Sequence, residues 1–499
     1  MKRIFFLLAC LSSKIFATTY YAAPTGNASN DGKSFAKAKS FAAALSLIKT
    51  GDSLLLQGGT YLIPYTSGVK NTFNFTASGQ DGDPIYVGTL DNTRALFDFS
   101  TPPYEWVQNG YGFSVAGSYW YFKNIDITRA SYQGAYVTGA HNTFFHCSFY
   151  LNRFSGIEIN KGGSATSVIN CDSYQNYNPK PISGVSGAAA DGFAPKQTQG
   201  AGNVLMGCRA WENSDDGYDT FDSPEGVVIE NCWSFNNGSL KVGDSTYSGN
   251  MDGFKLGGNS QVQHNEVYNC VSFGNGLRGY DENNNKGGVK VYNCLAYNNN
   301  ANYMFTGTLN SGEQHDFRNN ISLTEKTASN IKSTNKQVNN TWNSGFSVSK
   351  SDFKSLDLSL ATIARNADGS IPETDLFRLK AGSKLIDAGT STGRPYLGSH
   401  PDIGPFEFQD FTTDFTLSGN FTEGMVVFPT WVEEVVHVRF LSSYNAASVA
   451  IFSMEGILVH SEALEKGEND ISCQDLKSGP YLVQVKNNGM SNVFRMVKR

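Results

Sequence analysis

Five acidic side chains fall within the twelve residues Glu212–Ser223, which read ENSDDGYDTFDS and include no lysine or arginine. A solvated polar turn would account for this composition, but part of the stretch recurs. Asp-Gly followed by an aromatic residue occurs three times, in DGFAPK at 191–196, DGYDTF at 216–221 and DGFKLG at 252–257. The recurrence predicts one strand that is repeated in three successive structural units.

Alignment of the three phrases predicts two columns of neighbouring side chains: Asp191, Asp216 and Asp252 in one, and Ala194, Asp219 and Lys255 in the other. Four carboxylates would then surround one point: Asp191, Asp215, Asp216 and Asp219. Like charges at that separation repel each other unless a cation joins them. Oxygen ligands suit calcium, and the lack of histidine or cysteine nearby argues against zinc or copper. The cluster therefore predicts a Ca²⁺ site.

Lys255 would lie one repeat beyond this metal site, and two roles are open for it. In a structural role, its ammonium group neutralises Asp219. In a chemical role, it is a general base, because a neighbouring divalent cation disfavours the ammonium form and lowers the pKa of the lysine.

The cysteines indicate the elements that position these residues. Six of the eight follow one another at intervals of 24, 37, 24, 38 and 24 residues: Cys147, Cys171, Cys208, Cys232, Cys270 and Cys294. Three residues after each stands an aromatic residue: Tyr150, Tyr174, Trp211, Phe235, Phe273 and Tyr297. Five residues after each stands an asparagine: Asn152, Asn176, Asn213, Asn237, Asn275 and Asn299. A repeat of this length, with short β-rich runs and Gly/Asn turns, predicts the coils of a parallel β-helix.

Residues of equal phase form ladders in such a stack, since coils lie about 4.8 Å apart. We expect the asparagines at a turn, where this residue tolerates the left-handed conformation and its amide can bond the next coil. The cysteines have no C-x-x-C spacing for zinc and are predicted to be small, buried, reduced side chains. A disulfide between stacked neighbours stays open as the alternative.

The hydrophobic core at each end of the solenoid must be capped. The amphipathic pattern of residues 34–52 predicts an N-terminal capping helix, and residues 377–408 are expected to close the far end. From residue 413 to 499 the composition indicates a small C-terminal β-sandwich. The predicted fold class is therefore all-β, a parallel β-helix catalytic domain over 18–409 followed by this module.

The phrases ADGFAPK, ENSDDGYDTFD and MDGFKLGG, with separations of 24 residues from Asp191 to Asp215 and 36 from Asp219 to Lys255, resemble the family 9 polysaccharide lyases. These are pectate lyases built on a right-handed parallel β-helix, and the resemblance covers about residues 19–408. It implies calcium bound by the four aspartates and Lys255 as the Brønsted base. The implied reaction is β-elimination on polygalacturonate-type pectic polysaccharide.

Substrate contacts are expected one coil beyond Lys255, in LRGYDENNNKGG. The candidates for substrate binding are Arg278 and Lys286 in this stretch and Asp252 in the earlier phrase DGFKLG. Asp281 lies in the same stretch as Arg278 and Lys286. Solvated loop charges are the alternative for Arg278 and Lys286.

The C-terminal module resembles the sorting domain of the type IX secretion system. VVFPTWVEEVVHVRF, SVAIFSMEGILVHSE and LKSGPYLVQVKNNG follow its order of strands, although the first reads Phe-Pro-Thr where the family has Pro-Asn-Pro. The resemblance implies the type IX machinery as a partner. A small carbohydrate-binding β-sandwich is the alternative.

The N-terminus and the overall charge set the expected location. Residues 1–17, MKRIFFLLACLSSKIFA, have the basic start, apolar stretch and small final residue of a signal peptide, with a lipoprotein site at Cys10 as the alternative. No later segment approaches the roughly 20 apolar residues of a membrane span. A net charge of −6 argues against nucleic acid as a partner. We expect a monomer that is secreted or attached to the cell surface.

Three other functions remain open at this point: a rhamnogalacturonan lyase on the same scaffold, a β-helix polygalacturonase with two aspartates as acid and base, and a non-catalytic surface protein that binds glycans. The hydrolases carry Gly-His-Gly and Arg-x-Lys motifs, and none of the seven histidines here has that setting.

Overall fold

The computed structural model describes residues 17–90, 93–179, 186–240, 247–345, 347–394, 396, 398–408, 425–428, 431–432, 434–440, 447–453, 458–465, 468–477, 479–487 and 490–498. Most of the predicted signal peptide and the predicted boundary between the two modules lie outside these residues. The chain divides into two compact units. The first runs to Leu385 and includes Ile403–Phe406, and the second comprises Ile386–Asp402 and the chain from Glu407.

The first unit is a right-handed parallel β-helix with three sheets, as predicted. The twelve-stranded sheet consists of Thr19–Ala22, Ser53–Leu56, Ile85–Gly88, Trp120–Lys123, Thr143–Phe145, Ser167–Ile169, Val204–Met206, Val228–Glu230, Glu266–Tyr268, Lys290–Tyr292, Asp316–Arg318 and Lys336–Val338. The ten-stranded lateral sheet consists of Gly59–Leu62, Ala95–Asp98, Ile125–Thr128, Ser148–Tyr150, Asp172–Tyr174, Arg209–Trp211, Trp233–Phe235, Val271–Phe273, Leu295–Tyr297 and Ile321–Leu323.

The third sheet also has ten strands and carries the acidic motifs, so we call it the site sheet. Its strands are Phe73–Phe75, Phe113–Val115, Ala135–Val137, Ile157–Ile159, Phe193–Pro195, Tyr218–Asp219, Phe254–Lys255, Arg278–Asp281, Ala301–Phe305 and Asn330–Ile331. Each coil contributes one strand to each sheet in turn, which places equivalent residues of successive coils in direct register.

The predicted cysteine and asparagine ladders both form. The seven described cysteines are buried free thiols, and the backbone N–H of Cys147 donates to Cys171 Sγ on the next coil. Asparagine side chains are linked from coil to coil, with Nδ2 of Asn176 2.9 Å from Oδ1 of Asn213. Aromatic rings stack likewise, with centroids of Tyr174 and Trp211 4.3 Å apart.

The left-handed turn residue is not the ladder asparagine, and on this point the sequence interpretation was wrong. Positive φ angles occur one position earlier, at Leu151, Gln175, Glu212, Asn236, Gly274 and Asn298. The ladder asparagine itself bonds backbone groups, as when Asn213 Nδ2 donates to Ser173 O. Its amide therefore satisfies buried backbone, while its neighbour makes the turn.

The N-terminal cap is shorter than the amphipathic pattern predicted. A 3₁₀ turn at Phe35–Lys37 and an α-helix at Phe41–Leu45 are separated by extended backbone, because Lys39 pairs with Ala22 in a parallel bridge. The helix still covers the core, since the buried Phe41 ring lies 4.6 Å from the ring of Phe97. None of the helices in the described ranges is long and apolar enough to cross a membrane.

Two segments pack on the last coils, where residues 377–408 were expected to close the end. Trp342 packs on Tyr303 and Phe317, and the N–H of Gly404 donates to the carbonyl of Asn319 at 2.8 Å. Phe377 lies beside the aromatic ladder, against Phe273 and Tyr297. Two 3₁₀ helices precede it, at Lys350–Asp352 and Leu358–Thr362.

The second unit contains two small antiparallel sheets. One orders Met425–Phe428, Val435–Phe440 and Glu468–Ser472. The other orders Trp431–Val432, Met490–Lys498, Gly479–Asn487, Ala447–Ser453 and Leu458–Leu464, in which the first pair is parallel. Its core includes Val436, Val449, Ile451 and Val483.

Candidate active site

The three Asp-Gly-aromatic motifs lie on successive strands of the site sheet. Phe193 pairs with Tyr218 and Tyr218 with Phe254, so that Asp219 lies opposite Lys255. Lys255 in turn lies opposite Asp281 of the next coil. The register predicted from the repeated motif is therefore the one that forms.

A ladder of buried rings fixes the direction of the site residues. Centroids of Phe193, Tyr218, Phe254 and Tyr280 are separated in turn by 5.2, 4.6 and 4.9 Å inside the helix. Successive side chains of a strand point to opposite faces, so inward rings turn Asp219 and Lys255 outward. Both remain buried, with 2% and 6% of their surfaces exposed.

Glycine in the motif allows the close approach of strand and ladder. A Cβ atom on Gly217 would lie 2.0 Å from Ser234 Oγ and 2.8 Å from Asn237 Nδ2. Only glycine fits there without displacing the ladder, which accounts for the Asp-Gly pairing in the sequence.

The aspartates of the first column are held by the backbone of the following coil. The N–H of Asp216 donates to Asp191 Oδ1 at 3.3 Å, and the N–H of Asp252 donates to Asp216 Oδ1 at 2.8 Å. Arg278 N–H donates to Asp252 Oδ1 in the same way. One oxygen of each carboxylate is thereby fixed, and the second is left to face the site.

Three of the four predicted metal ligands come together. Carboxylate oxygens of Asp191, Asp216 and Asp219 lie within 4.8 Å of one another, and all three residues are buried. Asp215 is placed differently, because its two oxygens accept the backbone N–H groups of Ala189 and Asn250.

Two lysines contact the three carboxylates. Lys255 Nζ lies 3.1 Å from Asp216 Oδ2 and 3.6 Å from Asp219 Oδ1. Lys196 Nζ lies 2.6 Å from Asp191 Oδ2 and 3.2 Å from Asp219 Oδ2. The sequence analysis missed Lys196, although it ends the phrase DGFAPK two residues after Ala194 and so shares the outward face of that strand.

The pKa shifts of the aspartates reflect an excess of negative charge in the site. Burial, and then Asp191, raise the pKa of Asp215 to about 6, and burial with Asp215 raises that of Asp216 well above its usual range. Burial also acts to raise the pKa of Asp219, but Lys255 and Lys196 outweigh it and the pKa is lowered. Three clustered carboxylates contact two ammonium groups, and Asp215 adds a fourth negative charge nearby. This donor set of oxygens fits a hard divalent cation.

Lys255 differs from the expectation of a lowered pKa. Burial acts in that direction, but Asp216 and Asp219 outweigh it and raise the pKa well above its usual value. The expectation concerned a lysine beside a bound cation, whereas here the ammonium group faces the carboxylates themselves.

The predicted substrate residues divide into two groups. Arg278 and Asp252 adjoin the cluster: Arg278 Nη1 lies 2.6 Å from Asp281 Oδ2 and 3.9 Å from Asp252 Oδ2. A third of the Arg278 side chain is exposed. Lys286 is half-buried on a loop, where its Nζ donates to the carbonyl of Thr308.

The candidate site is a buried lysine against a carboxylate cluster on one face of a parallel β-helix. Comparisons with known proteins place the chain more closely. The family described as "Pel9A-like, right handed beta helix region" matches residues 20–320, and the chain belongs to that family. The family "Secretion system C-terminal sorting domain" matches residues 426–499, which confirms the predicted nature of the C-terminal module.

Individual relatives agree with this assignment. The chain is 54% identical over 389 residues to "Pectate lyase L" of Dickeya dadantii (strain 3937), a match that covers 78% of this chain and 90% of that protein. The solved structure "Crystal structure of pectate lyase Pel9A" is 53% identical, with a TM-score of 0.76 and coverage of 79% and 96%. A structure described as "Rhamnogalacturonan lyase" is 28% identical, with a TM-score of 0.64 and coverage of 74% and 98%.

Proposed function

We propose that this chain is a calcium-dependent pectate lyase that cleaves polygalacturonate-type pectic polysaccharide by β-elimination. The observation that carries the proposal is the 54% identity to a pectate lyase across most of the β-helix. The buried contact between Lys255 and Asp216 supports it, because elimination from a uronate requires a base beside a site for a cation.

The reaction removes a weakly acidic proton. In a galacturonosyl unit, C5–H is adjacent to the carboxylate, and the glycosidic oxygen is attached to the neighbouring C4. As the neutral amine of Lys255 takes the C5 proton, the electron pair forms the C4–C5 double bond. The glycosidic oxygen leaves C4 with its bonding electrons and takes a proton from solvent, and Lys255 returns its proton to solvent, which yields an unsaturated uronide and a shortened chain.

The residues proposed to hold calcium are Asp191, Asp215, Asp216 and Asp219. Calcium accepts six to eight oxygen ligands, so carboxylates from two adjacent coils suit it. When bound, it would neutralise the uronate carboxylate and stabilise the negative charge that develops during proton abstraction.

Lys255 is proposed as the base because of where the fold holds it. It lies on the coil next to Asp219 and is nearly excluded from solvent. The carboxylates that keep it protonated are those proposed as metal ligands. A cation bound by these carboxylates would weaken their effect on the pKa of Lys255. Burial would then lower that pKa.

Arg278, Asp252 and Lys286 are proposed to bind the sugar chain. Arg278 has a partly exposed guanidinium held by Asp281, which suits recognition of a uronate carboxylate. Asp252 anchors the backbone of Arg278, and Lys286 offers an ammonium group on the adjoining loop.

Rhamnogalacturonan is the second candidate substrate. The likeness to a structure described as a rhamnogalacturonan lyase supports it, at a lower identity than the pectate lyases. Size-separated products from a panel of homogalacturonan and rhamnogalacturonan would distinguish the two substrates and also reveal endo or exo action.

The C-terminal module supports a proposal about location. We propose that it passes the protein to the type IX secretion machinery after an N-terminal signal peptide has directed export from the cytoplasm. The enzyme would then act as a monomer, secreted or attached to the cell surface.

Chelation tests the proposal directly. Purified protein on polygalacturonate should generate the ultraviolet absorbance of unsaturated uronide, lose it in excess chelator and regain it with added calcium. Reducing sugar without absorbance would indicate a hydrolase, and full activity in chelator would contradict the metal site.

A further inference from the structure

Lys196 forms ion pairs with carboxylate oxygens that are proposed to bind the metal. Its Nζ donates to Asp191 Oδ2 and contacts Asp219 Oδ2, and only 4% of the residue is exposed. A divalent cation bound by the same carboxylates would meet a positive charge at close range. Either the lysine or the cation can use these oxygens fully, but not both.

A further carboxylate, that of Glu158, lies near enough to Lys196 to influence its charge. Glu158 pairs in register with Ala194, and Asp219 follows on the next strand. In this register Ala194 lies between the two acids, two residues before Lys196. Burial acts to lower the pKa of Lys196, but Asp191, Asp219 and then Glu158 outweigh it and raise the pKa.

Two neutral side chains hold the carboxylate of Glu158 in place by hydrogen bonds. Gln133 Nε2 donates to its Oε2 at 2.6 Å, and Asn160 Nδ2 donates to its Oε1 at 2.8 Å. Only 4% of the residue is exposed, and within the described part of the chain it forms no ion pair of 4.0 Å or less. A buried carboxylate in that setting gains from the arrival of an ammonium group.

We propose that Lys196 is an exchangeable counter-ion of the metal site. Its ammonium group neutralises Asp191 and Asp219 and moves to Glu158 when a divalent cation binds those carboxylates. The inference rests on the proposed calcium site. In both positions the buried lysine keeps a carboxylate partner, so the exchange leaves no unpaired buried ammonium group.

The proposal predicts the calcium affinity of three variants. Calorimetric titration of the full chain with CaCl₂ measures these affinities. Lys196→Met should bind calcium about tenfold more tightly, because no ammonium group has to leave two carboxylates. Glu158→Gln should bind it several-fold more weakly, because the displaced lysine loses its destination. In the Lys196→Met background, Glu158→Gln should have little further effect, which is the coupling that a double-mutant cycle isolates.

Lys161→Met is the matched control. It removes the same charge from an exposed side chain near the ring of Tyr136 and should leave the dissociation constant within about twofold. Thermal melting adds a readout that does not depend on binding. In chelator, Lys196→Met should melt below the unmutated protein, and saturating calcium should narrow or abolish that difference.

Two results would overturn the inference: calcium affinity that is unchanged or weaker in Lys196→Met, or an effect of Glu158→Gln that is the same with and without Lys196. If the unmutated chain binds no calcium, the proposed metal site fails and this inference fails with it. If it binds calcium normally but the variants show no coupling, only the role of Lys196 is refuted.

Discussion

At the scale of single residues, the site is a balance of buried charges. Asp215 and Asp216 have raised pKa values because burial and neighbouring carboxylates penalise their charged forms. A group of this kind destabilises the folded chain above its folded pKa and costs nothing below its unfolded pKa, about 3.9 for aspartate. At and below the folded pKa, where such a carboxyl carries a proton, binding of a cation to the folded chain is coupled to the release of that proton.

Calcium affinity should therefore depend on pH in a defined window. Below the pKa of about 6 for Asp215, calcium has to displace a proton, so affinity should fall as the pH decreases from 7 to 5. Calorimetric titration at both values measures the change. Asp215→Asn should bind calcium more weakly at pH 7 and show less pH dependence. Equal affinity of the unmutated protein at the two values would contradict the assignment of Asp215.

The sequence predicted much of this site because the motif repeats with the coils. Asp191 could be aligned with Asp216, and Asp219 with Lys255, from spacing alone, and the observed register matches. Lys196 could not be assigned a role, because that role depends on two properties of the folded chain: the contacts of its Nζ with Asp191 and Asp219, and the influence of Glu158 on the same ammonium group. Those properties arise from packing between coils, which a single sequence does not display.

At the scale of structural elements, ladders determine where the site strands lie. Asn213 donates to Ser173 O and Asn237 Oδ1, and its own Oδ1 accepts the backbone and side-chain N–H groups of Asn176. Such side chains replace the regular hydrogen bonds that the chain loses where it turns between sheets.

Asn213→Ala should destabilise the β-helix by about 2–4 kcal/mol, because it leaves buried donors of Asn176 without acceptors. Denaturant unfolding followed by circular dichroism measures the loss. Asn74→Ala is the control, since Asn74 is exposed and makes a single 3.4 Å bond to Thr72 O. Comparable stability of the two variants would show that the ladder contributes little.

Two features of the secondary structure could not be predicted from the sequence: the residue that makes the left-handed turn and the length of the N-terminal helix. The repeat fixed the position of the asparagines but not which neighbour adopts the left-handed conformation, since several residue types tolerate it there. The N-terminal helix was overestimated because residues 38–40 are extended where Lys39 pairs with Ala22, and tertiary pairing overrides helical propensity.

At the scale of the whole molecule, catalysis and transport are proposed to belong to separate parts of the chain. The lyase family matches residues 20–320, and the sorting family matches residues 426–499. All of the proposed site residues lie within the first match.

A chain lacking residues 413–499 should keep its specific lyase activity when purified from a foreign host, yet stay inside its native cell. Activity and circular dichroism of the truncated and full-length proteins test the first part, and fractionation of the culture tests the second. If the truncated chain is folded but inactive on polymer, the module binds substrate and the sorting function is wrong.

Proton abstraction by Lys255 is the central claim, and Lys255→Arg tests it most directly. Arginine keeps the charge that could pair with Asp216 and Asp219, but it stays protonated at any working pH and cannot accept a proton. With calcium present, we predict at least ~10²-fold less ultraviolet absorbance from polygalacturonate for both Lys255→Arg and Lys255→Ala, with calcium binding retained. Strong absorbance from Lys255→Arg at neutral pH would contradict the account, because the lysine would then be only a structural partner of the aspartates.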